Sequence, residues 1–361
     1  MNDTDLYSQK HLQLFKTRNE RIVSAFLQDT SRMPRLHTAR FFNIKVDQGH
    51  LAPLFLSNTL HTLILSQCDL CTMDGLPLPR IRHLTLTLIS MSKWPQIVSL
   101  FGLCSTNLET LALVSELRLV PGYTKLPIFP KLQNLSFVMR YGPSHFVGTF
   151  ISLAPQLEHL EIRASRDISR VPNLPASLNL LTTSEGTIQH RLFGPHPLLH
   201  LSYLRIDFNG WWADRYSRGR IMPIIQQTFP NITSLEMDIH NCSLGFFLLV
   251  ARTLPNVTRL QLNITGDLYS LRYDDINMHF HEMPEGPLSR LHVKVQMENV
   301  QKQSMKLLKE WVLHTVLQPT VGLGGPHLQE VDMVISKSCS ITPAAWWCWK
   351  QLKDEWCFKQ Y

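Results

Sequence analysis

Residues Phe129–Phe137 read FPKLQNLSF, and the phrase returns as APQLEHLEI at Ala154–Ile162, FPNITSLEM at Phe229–Met237 and LPNVTRLQL at Leu254–Leu262. Each copy is a proline, one spacer residue, then apolar-x-x-apolar-x-apolar. Proline has a fixed φ and no N–H, so it stops a helix and starts an extended segment. The alternation that follows has the period of two expected of a strand with one face in a core and the other in solvent. The phrase therefore predicts a helix stop followed by a strand start, and its repetition predicts one strand per copy.

Working outward, the first apolar position of the phrase, here called the anchor, recurs at Leu36, Leu60, Ile81, Leu108, Leu132, Leu157, Leu178, Leu201, Ile232, Val257, Leu288 and Leu328. Successive spacings are 24, 21, 27, 24, 25, 21, 23, 31, 25, 31 and 40 residues, mostly inside the period of leucine-rich repeats, with insertions in the last units. Seven units carry proline two residues before the anchor, at Pro34, Pro79, Pro130, Pro155, Pro230, Pro255 and Pro326. The weakest unit is LNLLTT at Leu178, which ends in Thr183 where an apolar residue is expected. Between strands lie helical patterns. HFVGTFISLAP sets Val147, Phe150, Ile151 and Ala154 on one face, and MKLLKEWVLHTVLQP begins at Met305.

The expected fold is α/β, a leucine-rich-repeat solenoid (horseshoe) with a concave parallel β-sheet, convex helices and helical end caps. With neighbouring strands about 4.8 Å apart, the inner arc of such an array would run roughly 50 Å. Residues 1–32 are expected to form an N-terminal helical cap, with Ile22, Val23, Phe26 and Leu27 on one face. The repeats then occupy 33–340, and the tryptophan-rich 341–361 closes them as a capping helix with Ala345, Trp349, Leu352 and Trp356 in one stripe.

Composition agrees with a long core. Of 361 residues, 44% are apolar and 17% charged, below the charge of an average soluble protein. The net charge is +7, yet the lysines and arginines are scattered, without the dense block of a nucleic-acid or membrane arm. The N-terminus has no apolar signal region, and the longest apolar run, LGFFLLVA at 244–251, is far short of the roughly 20 residues of a membrane span. Seven cysteines at irregular spacing fit a reducing compartment, so the expected location is cytoplasmic or nuclear. The N-x-S/T triplets at Asn231, Asn241 and Asn256 then read as products of threonine-rich strands rather than glycosylation sites.

No nucleophile elbow, phosphate loop, H-E-x-x-H pair or dinucleotide fingerprint is present, so no enzyme activity, cofactor or metal is expected. CDLC at Cys68–Cys71 has metal-like spacing but no second pair, and Cys68 already occupies a repeat position. NMHFHEMPEG offers His279, His281 and Glu282, with Asp274 or Asp275 nearby, and reads as a polar loop rather than a metal centre. The glycines of VGLGGPH suit a turn before the last strand.

Side chains two, four and six residues after an anchor should face the concavity. In the first half these are mostly neutral, as at Thr38, Thr62, Ser66, Thr85, Thr87, Thr110 and Ser136. From Glu161 onward they are charged: Arg163, Arg205, Asp207, Glu236, Asp238, Arg259, Arg290, His292, Lys294, Glu330 and Asp332. Equal offsets lie side by side on a parallel sheet, so Asp207 should meet Asp238 and Arg259 should meet Arg290. Like charges opposed in this way destabilise unless compensated. One reading satisfies them with diagonal partners such as Arg205 and Arg259, and another leaves them to a bound partner. The insertion NGWWADRYSRGR adds Trp211 and Trp212 together with Arg215, Tyr216, Arg218 and Arg220, residue types enriched in binding hot spots, although the tryptophans would equally serve to cover the enlarged unit. The candidate partner-binding residues are therefore Arg163, Arg205, Asp207, Trp211, Trp212, Glu236, Asp238, Arg259, Arg290, His292 and Lys294.

The P-x-L-x-x-L-x-L units, their uneven lengths and the poor match to an asparagine ladder, met only by Cys68 and Asn209, resemble the divergent F-box/leucine-rich-repeat-like proteins abundant in fungi. The resemblance implies a non-catalytic substrate receptor of a cullin-RING ubiquitin ligase, in which an F-box holds the ligase adaptor and the repeats hold a protein substrate on the concave face. It departs from that family in one respect: the 35 residues before the first anchor contain no L-P-x-E-[IL] opening. A free-standing leucine-rich-repeat binding or inhibitor protein is the alternative, and a metal-dependent enzyme centred on His279 and His281 a more distant one.

Overall fold

The computed structural model describes residues 11–15, 35–89, 93–115, 125–139, 144–164, 174–184, 188, 197–208, 223–240, 256–265, 288–297, 306, 309, 327–337, 343–352 and 355–360. They fall in two compact units, one of Met1–Leu178 with Leu192–Gly194, the other of Asn179–Arg191 with Pro195–Tyr361.

The repeated phrase is a turn. The N–H of Leu132 returns to the carbonyl of Phe129 (3.3 Å), that of Leu157 to Ala154 (3.2 Å) and that of Ile232 to Phe229 (3.4 Å), so the proline holds the second position of each turn. Its locked φ is favoured there. A helix ends just before two of these turns, at Ser152 in one case and residue 228 in the other, and a strand opens two residues after each anchor.

The first unit contains, in chain order, β1 (His11–Phe15), β2 (Thr38–Phe42), β3 (Lys45–Val46), α1 (Gln48–Phe55), β4 (Thr62–Ser66), β5 (Asp69–Leu70), β6 (His83–Thr87), α2 (Trp94–Cys104), β7 (Thr110–Ser115), β8 (Asn134–Met139), α3 (Ser144–Ser152) and β9 (His159–Ala164). Its main sheet is parallel in the order β1-β2-β4-β6-β7-β8-β9, and β3 pairs with β5 apart from it. The second unit contains β10 (Leu180–Ser184), β11 (Tyr203–Phe208), β12 (Ser234–His240), β13 (Arg259–Thr265), β14 (Arg290–Met297), β15 (Glu330–Lys337), β16 (Pro343–Leu352) and β17 (Glu355–Gln360). Here β10 to β15 pair in parallel, and β16 and β17 close the sheet antiparallel. Each unit is thus built on a large, mostly parallel sheet.

All twelve anchors are buried, none more than 5% exposed. Within each unit, strands that carry anchors pair at equal offsets from them, as in Thr62↔His83 and Arg259↔Arg290. The ladder is extended at its entry by the N–H two residues after one anchor bonding to the carbonyl one residue after the preceding anchor: His83 to His61 at 2.9 Å, Thr110 to Arg82 at 2.9 Å, Arg259 to Thr233 at 3.0 Å. At the exits of β2, β4 and β6 the chain turns through left-handed residues, Asn43 (φ 53°), Gln67 (φ 54°) and Leu88 (φ 54°), each seven positions after its anchor. Their N–H groups bond to the next strand at Ser66 (2.9 Å), Thr87 (2.8 Å) and Val114 (2.7 Å), which offsets the steric cost of that conformation for residues with a Cβ.

In the first unit the apolar strand face packs against helices. Helix α3 buries Val147, Phe150 and Ile151, and Ala154 is buried just beyond it, the stripe its spacing predicts. Phe150 meets Phe137 of β8 at 5.4 Å between ring centroids, Phe101 of α2 at 5.6 Å and Phe129 at 5.6 Å. Of the stretch beginning at Met305, only residues 306 and 309 are described.

Both expected end caps differ. Residues 11–15 form β1, parallel to β2, where a helix was expected; Ile22, Val23, Phe26 and Leu27 lie outside the described residues. The tryptophan-rich segment is an antiparallel hairpin, not a helix. Its buried row is Ala345, Trp347 and Trp349 at period two, set opposite Ile335, Met333 and Val331 of β15. The physical reason is the edge of β15, whose backbone groups a strand pairs with directly and a helix cannot. Aromatic residues also favour a pleated, half-buried surface. No helix among the described residues is long and apolar enough to cross a membrane.

Candidate functional site

On β11 to β15 the strand alternation buries every second residue and leaves a polar row on the other face. Arg205 of β11 is the hub of a network. Its Nε donates to Asp238 Oδ2 (2.9 Å) and its Nη2 to Asp238 Oδ1 (3.2 Å), a two-pronged pairing, and Nη1 lies 3.3 Å from Glu236 Oε1. Asn263 Nδ2 donates to Asp238 Oδ1 (2.7 Å) and to Glu236 Oε1 (2.8 Å), while Gln261 Nε2 donates to Glu236 Oε1 (3.2 Å). The Tyr203 hydroxyl donates a hydrogen bond to the other oxygen of Glu236. Burial, then the hydrogen bond to Glu236, pushes the Tyr203 hydroxyl well above its ordinary range. Burial alone would lower the Arg205 pKa, but Asp238 and Glu236 outweigh it and the guanidinium is held charged more firmly than usual. Glu236, only 7% exposed, is therefore a buried carboxylate with three kinds of donor.

Asp207 does sit beside Asp238, and Arg259 beside Arg290, in register. Of the two diagonal compensations expected, Arg205 supplies its own. Arg259 is exposed and has no partner among the described residues, and the same holds for the partner sets of the half-exposed His292 and Lys294. Arg290 reaches Glu330 only at 3.6 Å, with 59% of its side chain exposed.

Farther along the face, Glu330, Asp332 and Cys348 bring one ligand atom each within 4.8 Å of one another. Lys350 Nζ holds Glu330 at 2.7 Å, and the Cys348 thiol is pushed up to about 11, by burial first and then by its hydrogen bond to Asp332. A metal there would have to displace a lysine and strip a proton from a thiol that resists losing it.

In the first unit, Arg163 of β9 pairs with Glu161 at 2.7 Å, and Ser136 Oγ donates to the same carboxylate at 2.6 Å. Arg163 therefore belongs to a separate unit from the other candidates. Cys68 plays a repeat role: its Sγ donates to Ser66 O (3.3 Å) and Phe41 O (3.4 Å), and burial raises its pKa, which opposes its use as a thiolate ligand with Cys71. Trp211, Trp212, His279, His281 and Asn209 lie outside the described residues. Tyr203, Gln261 and Asn263 were missed by a reading that selected charge. They stand at the same offsets from their anchors as the charged residues, and that position was the available signal.

No protein-family model matches the chain, and no curated protein matches it.

Proposed function

We propose that this chain is a non-catalytic protein-binding scaffold. In this reading its repeats curve into a horseshoe with the strand faces concave and the helices convex, and it acts in the cytoplasm or nucleus as the substrate-recognition part of an F-box/leucine-rich-repeat ubiquitin ligase receptor. The observation that carries the reading is the polar face of β11 to β15. A parallel ladder fixes the register of its side chains, and hydrogen bonds among Arg205, Glu236, Asp238, Gln261 and Asn263 immobilise that part of the face, leaving little conformational entropy there to lose on binding. The protein partner engages this face, and Trp211 or Trp212 anchors it from the neighbouring insertion.

The test is affinity capture with the full chain. Captured partners should be lost on Trp211→Ala/Trp212→Ala and retained on Thr62→Glu/Thr85→Glu in the first unit. The opposite dependence overturns the proposed face. Retention of the ligase adaptor in the same captures supports the ubiquitin role; partners captured repeatedly without it would leave a free-standing binding protein.

A further inference from the structure

The acids and the cations of the second unit's face are not in the same state. Glu236 and Asp238 are consumed by Arg205, Tyr203, Gln261 and Asn263, and Glu330 is held by Lys350 at 2.7 Å. The basic side chains between them are unspent. Arg259 on β13, and His292 and Lys294 on β14, have no partner among the described residues, and Arg290 has only its 3.6 Å approach to Glu330. The backbone register forces Arg259 against Arg290, one strand spacing apart, about 4.8 Å. Along β14 the outward positions Arg290, His292 and Lys294 recur every second residue, about 6.7 Å, the repeat of side chains on one face of an extended chain, and the first and last of them are cations.

We propose that β13 and β14 form a cationic lane that binds an acidic segment of a partner protein in extended conformation, its carboxylates clamped by Arg259, Arg290 and Lys294. This rests on the reading of the strand face as a protein-binding surface and specifies the chemistry of what it binds. The lane is two strands wide and bordered by carboxylates on each side, Glu236 and Asp238 on β12 and Glu330 and Asp332 on β15. That width fits one extended polypeptide and opposes a broad polyanion. Nucleic acid would also want exposed aromatic rings between the cations for stacking. On these two strands the intervening outward side chains are Gln261, Asn263 and His292, and the one outward aromatic of β11, Tyr203, is committed to Glu236.

The experiment measures fluorescence anisotropy of a labelled oligoglutamate peptide titrated with the full chain. Arg259→Glu/Arg290→Glu should weaken binding at least ~10-fold, a desolvated double contact being lost and reversed. Arg35→Glu/Arg80→Glu, which changes net charge equally at exposed positions of the first unit, should weaken it less than ~2-fold because neither arginine stands on β13 or β14. If the glutamate variant is shown by circular dichroism to be misfolded, Arg259→Gln/Arg290→Gln is titrated instead, with a loss of ~3-fold or more expected. Equal losses from both pairs would mean general attraction to a basic protein and overturn the lane. Tighter binding of single-stranded oligothymidylate than of the peptide, abolished by the same variants, would overturn its assignment to a protein segment. The broader reading fails differently: captured partners that depend on the face but are not displaced by oligoglutamate leave the interaction surface standing and remove only the acidic ligand.

Discussion

Arg205 illustrates how one side chain decides whether a face is usable. Without it Glu236 and Asp238 would stand in register range of Asp207 with only neutral donors. Because the Arg205 side chain is 34% exposed, screening limits its worth, and Arg205→Met should lower unfolding free energy by ~1–3 kcal/mol in urea titration rather than the full cost of a buried pair. Thr183 offers the opposite sign. It is fully buried in the weakest repeat, its hydroxyl has no partner among the described residues, and its register neighbour is Ile206. Thr183→Val keeps the shape and removes an unsatisfied donor, so it should stabilise by ~1 kcal/mol, read as a higher urea midpoint at unchanged slope. The buried thiols set an alkaline limit. Burial pushes Cys104 up to about 12 and Cys348 up to about 11 from an ordinary 9.0. Folded pKa values above the unfolded one mean that both states keep the proton below pH 9. Above it the unfolded chain ionises first, so stability falls as pH rises from 9 toward 11 and 12. The thermal midpoint should therefore drop between pH 8 and pH 10.5, and Cys104→Ala should flatten that drop while Cys357→Ala, at an exposed site, should not.

The strand elements were legible because burial imposes a period of two and the anchors obey it without exception, down to LNLLTT, where the hydroxyl of Thr183 is buried rather than turned out. The C-terminal element was not. In AWWCW the apolar residues are contiguous, so Ala345, Trp347 and Trp349 at period two and Ala345 and Trp349 at a helical spacing are both available, and only the open edge of β15 decides between them. β1 was illegible for a related reason: two residues before His11, the place of an apolar anchor in the other units, the sequence has Gln9, so no anchor marks the strand. In the site, the offsets predicted which residues meet, but which charges stay unspent depends on the reach of neutral neighbours such as Asn263. The hairpin assignment has its own test. Trp349 is 1% exposed and opposite Val331, so Trp349→Ala should cost ~3–5 kcal/mol, whereas Trp346→Ala, 41% exposed on the other face, should cost ~1 kcal/mol or less by thermal unfolding. Similar losses at both positions would contradict the strand.

Across the whole molecule, stability in each unit comes from stacking, since a strand-turn-helix repeat buries its apolar face only against its neighbours. Leu135 in the first unit and Leu260 in the second are 2% and 4% exposed. A charge at either place has no partner, and Leu135→Asp or Leu260→Asp should each lower the thermal midpoint by more than ~10 °C in calorimetry, with unequal effects on the two units if these unfold separately. The closing hairpin also bears on how the protein is made. Synthesis proceeds from the N-terminus, and β11 to β15 each find a partner already present in the emerged chain. The outer edge of β15 stays open until β16, which follows it in the chain, has emerged and paired with it antiparallel. Until then a parallel sheet presents a bare row of backbone donors and acceptors, the template on which nascent chains of one polysome can pair with each other. A chain ended after Lys337 should thus accumulate as oligomers in size-exclusion chromatography at concentrations where the full chain does not, so the interval between the emergence of β15 and that of β16 is one in which the nascent chain needs a chaperone.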